Sequence, residues 1–150
     1  MRQMKRSECR DRGQSLIEFT LVTVLLLFLM FTVVEVSRMV LVSTTIANAA
    51  RAGVRYASVH GSDRTGSGVT GPSGPASNPP QVITVIQNFA SMGLLNTSAL
   101  IITVTYPGTS PANAPGQIVV VSVVYPYDNF ITYFPIHPRL GTTTQGVIAF

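Results

Sequence analysis

Near the start of the chain, Arg12-Gly13-Gln14-Ser15-Leu16-Ile17-Glu18 brings a basic leader, a glycine and a carboxylate to the mouth of a long apolar run. Glu18 is the fifth residue after Gly13 and the only charged residue between Gly13 and Val34. An ionised side chain inside a membrane-length segment is costly, so it is normally paired with something and marks a function. The chemistry this pattern suggests is a cut at Gly13, followed by pairing of Glu18 within the bilayer. The plainer reading of Glu18 is that it snorkels to the headgroups near its helix end.

The element that positions Glu18 is Leu16–Val34, nineteen residues without another charge. As a helix it covers about 28 Å, close to the hydrocarbon thickness of a bilayer. No second run in the 150 residues approaches it, which predicts a single pass plus one small domain. Residues 1–13 carry Arg2, Lys5, Arg6, Arg10 and Arg12 against Glu8 and Asp11, so most of the net charge of +4 sits in the leader. Bases beside a span are retained in the cytoplasm, which places the C-terminal part on the other side. The folded part has no basic stripe of the kind nucleic acid requires.

Cys9 is the only cysteine and precedes the apolar run, which excludes an internal disulfide and disfavours a lipoprotein signal. Ala47-Asn48-Ala49 looks like a signal-peptidase site but lies too far beyond Val34 to serve as one.

The leader lacks apolar periodicity and is expected to have no regular structure. No proline interrupts Gln14 to Ser58. After Glu35 the pattern turns amphipathic: Met39, Val42, Ile46, Ala49, Ala50, Gly53, Val54 and Ala57 line one helical face. Arg38, Thr45, Asn48, Arg51 and Arg55 line the other. One continuous helix of about 45 residues, roughly 65–70 Å, follows, half in lipid and half in water. Glu35 and Arg38, three apart at the membrane edge, read as a surface ion pair, with an interfacial anchor or inter-subunit contact as the alternative.

Residues 59–80, with Gly61–Pro80 rich in Gly, Ser and Pro, read as a flexible loop. Pro79-Pro80 opens a short helix to Met92, capped by Asn78 or Ser77 and stopped by Gly93, with Val82, Val85, Ile86, Phe89 and Ala90 on one apolar face. Leu100–Tyr106 and Gln117–Tyr125 read as strands, the second apolar on both faces and therefore central. Residues 126–141 read as irregular and Thr142–Phe150 as a last strand, weakened by Gly146. The fold class is α+β: a long N-terminal transmembrane and amphipathic helix, a short helix, and a small antiparallel sheet, with residues 81–150 as the extracytoplasmic domain.

Catalysis finds little to stand on. His60 and Asp63 fall in or beside the flexible segment. Asp128 and His137 have no nucleophile or metal-ligand spacing around them, and no phosphate loop follows the Gly61–Gly74 glycines. Tyr125, Tyr127, Tyr133 and Phe134 read as core or interface aromatics. No cofactor, metal site or catalytic residue is expected.

Gly13 followed by an apolar helix with Glu18 resembles the processing site of type IV pilin-like proteins. The match narrows with Gln14-Ser15-Leu16-Ile17-Glu18-Phe19, Glu35 at the end of the span, and Asn48-Ala49-Ala50-Arg51-Ala52-Gly53-Val54-Arg55-Tyr56-Ala57. Together these resemble the TadE-like family, minor pseudopilins of tight-adherence (Flp-type) pilus assembly. The chain departs from that pattern at Val24-Leu25, where relatives often carry a proline, and at Ala52, where an acidic residue is common. The resemblance implies cleavage between Gly13 and Gln14 by a prepilin peptidase. It implies pairing of Glu18 and Phe19 with other pilins or pseudopilins through the N-terminal helix, and contact with an inner-membrane assembly platform and the lipid bilayer. It further implies residence in the bacterial cytoplasmic membrane, with entry into a surface pilus left open. The competing reading is a single-pass anchored extracytoplasmic binding module, which needs neither Gly13 nor Glu18.

Overall fold

The computed structural model describes residues 4–61, 78–93, 96–108, 113–129 and 138–149, with side chains described from Gly13 onward. The element order is α1 (Met4–Val59), α2 (Pro80–Met92), a 3-10 turn at Thr97–Ala99, then β1 (Ile101–Thr105), β2 (Ile118–Pro126) and β3 (Arg139–Val147). The chain divides into two units, Met1–Arg38 and Met39–Phe150.

In the first unit α1 begins at Met4, inside the leader expected to lack regular structure. Met, Lys, Arg and Glu are good helix formers, and Gly13 alone costs only about 1 kcal/mol relative to alanine, too little to break a continuing helix. From Leu16 to Val34 the apolar side chains are exposed all round, as suits a helix whose solvent is lipid. Its hydroxyls do not need water. Thr20, Thr23 and Thr32 donate to the carbonyls of Leu16, Phe19 and Phe28, each at 2.8 Å, and Ser37 donates to Val33 at 2.7 Å. Each of these hydroxyls is satisfied one turn back on the helix itself, which is what a hydrocarbon environment demands. Among the described residues this is one helix long and apolar enough to cross a membrane. Exposed apolar side chains continue past Val34 at Val36, and into the second unit at Val40 and Leu41.

The second unit is built on the remainder of α1. Val42, Ile46, Ala49, Ala50, Gly53, Val54 and Ala57 are buried on the face that the three- and four-residue spacing predicts, while Met39 is half-buried. The small residues are there because two elements come close. A Cβ at Gly53 would lie 2.5 Å from Ile86 Cγ1 in α2, and one at Gly146 would lie 2.5 Å from Val54 Cγ1. Gly146, expected to weaken the last strand, is the position at which β3 passes under α1. The C-cap Gly93 sits against Thr45, which explains why Thr45 is half-buried on an otherwise exposed stripe.

From α2, Val82, Ile86 and Ala90 enter the core completely, and Val85 and Phe89 are half-buried. The sheet is antiparallel with order β1-β2-β3, so β2 is central as its composition predicts. Val119, Val121 and Val123 of β2 point inward with Val104 of β1 and complete the core with Leu100 and Ile148. Burying each such valine or isoleucine stabilises by roughly 1.5–3 kcal/mol. The second face of β2, Val120, Ser122 and Val124, is half-buried, flanked by exposed Thr103 and Thr105 on β1 and Thr143 and Gln145 on β3.

Three further expectations change. The helix-opening cap is Pro79, with no side-chain cap bond, so Asn78 does not cap α2, and Ser77 lies outside the described residues. The last strand starts earlier and ends earlier, Arg139–Val147, because the turn Asn113–Gly116 and the bond from Ile148 N–H to Gln117 C=O (2.9 Å) set its register. β2 likewise continues to Pro126, so the stretch expected to be irregular is trimmed at both ends. Asp63, most of the Gly/Ser/Pro loop, Tyr133, Phe134 and His137 lie outside the described residues.

Candidate functional site

Gly13 and Gln14 are exposed within α1, and a Cβ at Gly13 would meet nothing within 4 Å. Both residues of the junction are therefore accessible from solvent. Glu18 and Phe19 are exposed one turn further on, at the edge of the uniformly apolar stretch. Between Gly13 and Arg38 the helix offers this carboxylate no base to neutralise it. Glu35 is half-buried and Arg38 exposed on the same helix.

The outer-helix motif splits between two faces. Ala49, Ala50 and Gly53 are buried and set the close approach of α2 and the sheet; Asn48, Arg51 and Arg55 are exposed; Tyr56 is half-buried. The reason is helical geometry, which puts residues 49, 50 and 53 a quarter to half a turn from 48, 51 and 55. The motif therefore serves packing with one set of residues and presents a polar, basic stripe with the other.

At the end of α1, the His60 ring stacks on Tyr56 with centroids 4.0 Å apart and planes at 15°, and its Nδ1 lies 2.8 Å from the Tyr56 carbonyl oxygen. His60, expected in a flexible segment, is thus fixed at a helix terminus, where a ring nitrogen satisfies one of the last carbonyls. Tyr127 is buried in the second unit and Tyr125 is half-buried against the core, as expected of core aromatics. Asp128 is exposed. Among the described residues no group of three or more His, Cys, Asp or Glu side chains is arranged to hold a metal ion.

The residue that sequence reasoning misplaced is Asn78. Its φ is +59°, the left-handed region that asparagine tolerates better than most residues. The Val104 N–H donates to Asn78 Oδ1 at 2.7 Å, and the Asn78 N–H donates to the Val104 carbonyl at 2.9 Å. Asn78 thereby takes up the outward N–H and C=O of Val104 on the edge of β1. An asparagine before two prolines signals a turn, but not the strand edge it would bond.

No curated protein and no solved structure matches the chain. Residues 13–55, from the glycine of the junction to the second arginine of the exposed stripe, match the family model described as TadE-like protein, and the chain carries a TadE-like segment there.

Proposed function

We propose that the chain is a minor pseudopilin, a non-enzymatic structural component of tight-adherence (Flp-type) pilus assembly, matured by a prepilin peptidase at Gly13. The observation that carries this reading is the extent of the TadE-like match, which begins at Gly13 itself and takes in Glu18 and the outer-helix motif from Asn48 to Arg55. Hydrolysis of the Gly13–Gln14 peptide bond would leave a carboxylate on Gly13 and an amine on Gln14. It would also remove a leader of net charge +3.

The new amine stands at the positive end of the helix dipole, four residues from Glu18. Pairing with a carboxylate from the same or a neighbouring helix neutralises both groups in a region of low dielectric. Helices so paired associate side by side, which is a step toward a fibre or its base. In this reading the leader stays cytoplasmic, the helix crosses the cytoplasmic membrane once, and the second unit faces outward. There it meets other pilins and the inner-membrane assembly platform.

An anchored binding module would share the apolar helix and the packed outer unit but would have no use for the junction. Intact-mass measurement of the protein extracted from membranes of peptidase-positive cells separates the two. The pseudopilin reading expects a chain beginning at Gln14, and a chain beginning at Met1 supports the plain anchor.

A further inference from the structure

The two edges of the sheet are treated differently. Asn78 satisfies the outward N–H and C=O of Val104 on β1. On the other side, Ile148 N–H reaches Gln117 C=O at 2.9 Å and Tyr127 N–H reaches Pro138 C=O at 3.0 Å. With the register Ile118↔Val147 to Pro126↔Arg139, the even-numbered residues of β3 bond to β2. Gly141, Thr143, Gln145 and Val147 therefore turn their N–H and C=O groups outward, and all four are exposed. Among the described residues no other element bonds to this stretch; the neighbouring helix takes over only at Ala149, whose N–H donates to the Ser58 carbonyl at 2.8 Å.

Sheet edges of this length usually carry a proline, a bulge or a charge that repels an incoming strand. From Leu140 to Val147 the chain has none of the proline and charge devices. The charges stand beside the edge instead. Arg51, Val54, Arg55 and Ser58 follow the i, i+3, i+4, i+7 spacing of one helical stripe. Val54 and Ser58 are the residues against Gly146 of β3, so exposed Arg51 and Arg55 flank α1 on the β3 side. Arg139 opens β3 and is also exposed, while Asp128 is the one acid among the described residues of this unit.

We propose that the open edge of β3, with Arg51 and Arg55 beside it, is a docking site for an extended acidic segment of a partner protein that adds to the sheet as a fourth strand. The backbone groups of Gly141, Thr143, Gln145 and Val147 supply the ladder, and the arginines select carboxylates on the incoming strand. A second copy of this chain is a poor occupant, because its own β3 carries Arg139 and no carboxylate and so offers the arginines no counter-charge. The proposal does not depend on cleavage at Gly13.

The test uses the full-length protein in nanodiscs and a fluorescent nine-residue peptide, matched to the nine residues of β3, that alternates valine with glutamate and threonine. Three controls accompany it: the same peptide with lysine for glutamate, the same peptide N-methylated at alternate amides, and the Gln145→Pro protein. Proline at position 145 removes an outward N–H without touching the bonds to β2. The expected result is binding of the acidic peptide that weakens with salt. Binding should fall about tenfold with Gln145→Pro, the loss of one or two backbone hydrogen bonds, further with N-methylation, which blocks several, and also with Arg51→Ala/Arg55→Ala. Absence of binding, equal binding of the lysine peptide, or indifference to N-methylation would each overturn it; the last reads the backbone ladder even if Gln145→Pro fails to fold. A disulfide between copies through Thr143→Cys, in a Cys9→Ser background, would assign the edge to self-association and also overturn it.

Discussion

Gly53 of α1 and Ile86 of α2 are in close contact, with Ile86 Cγ1 2.5 Å from where a Cβ on residue 53 would stand. Both residues are buried, so neither can swing into solvent to relieve the contact.

Gly53→Ala gains about 1 kcal/mol of helix propensity but adds a methyl to a closed interface, which costs about 1–3 kcal/mol. We expect a net loss of about 1 kcal/mol, and a larger one for Gly53→Val. Urea unfolding of the detergent-solubilised protein measures it; Gly53→Ala more stable than the parent would mean that α2 is free to move away.

Asn78 serves β1 through both its side chain and its backbone conformation. Asn78→Gly keeps the left-handed φ and loses the bond to Val104 N–H, a cost of about 1 kcal/mol. Asn78→Ala loses the bond and also adds roughly 1–2 kcal/mol of backbone strain. The expected order of stability is parent, then Gly, then Ala. Hydrogen exchange at the Val104 amide should quicken in both variants; an unchanged rate would show that Asn78 does not guard that edge.

At the junction, folding and recognition can be separated cleanly. Nothing lies within 4 Å of a Cβ on Gly13, so Gly13→Ala leaves the helix intact and raises its propensity. Accumulation of uncut precursor in that variant, followed on immunoblots, would then reflect lost recognition by the peptidase.

On the proposed pseudopilin reading, Glu18→Ala is expected to be cut normally and to impair piliation, because the amine created on Gln14 would lose its carboxylate in lipid. Glu18→Asp, shorter by one methylene, should retain part of the function. Electron microscopy of surface pili reads the outcome, and normal pili with Glu18→Ala would remove the carboxylate from the assembly mechanism.

Much of this was legible from residue order alone because it depends on period and contrast. The apolar length of Leu16–Val34 and the three- and four-residue spacing of Val42 to Ala57 follow directly from helical repeat, as does the buried face of α2. The double-sided valines of β2 reveal its central place, since only a strand with neighbours on both sides keeps that composition. What the tertiary structure decided is which local signals gain a distant partner. Asn78 and Gly146 look like a cap and a strand-breaker in sequence, and become an edge clamp and a contact point only when β1 and α1 arrive beside them. Thr45 likewise leaves its polar stripe because Gly93 packs on it. Local propensities differ by about 1 kcal/mol or less per residue, so a single long-range hydrogen bond or close contact is enough to reassign such a residue, and those partners are set by the packed chain.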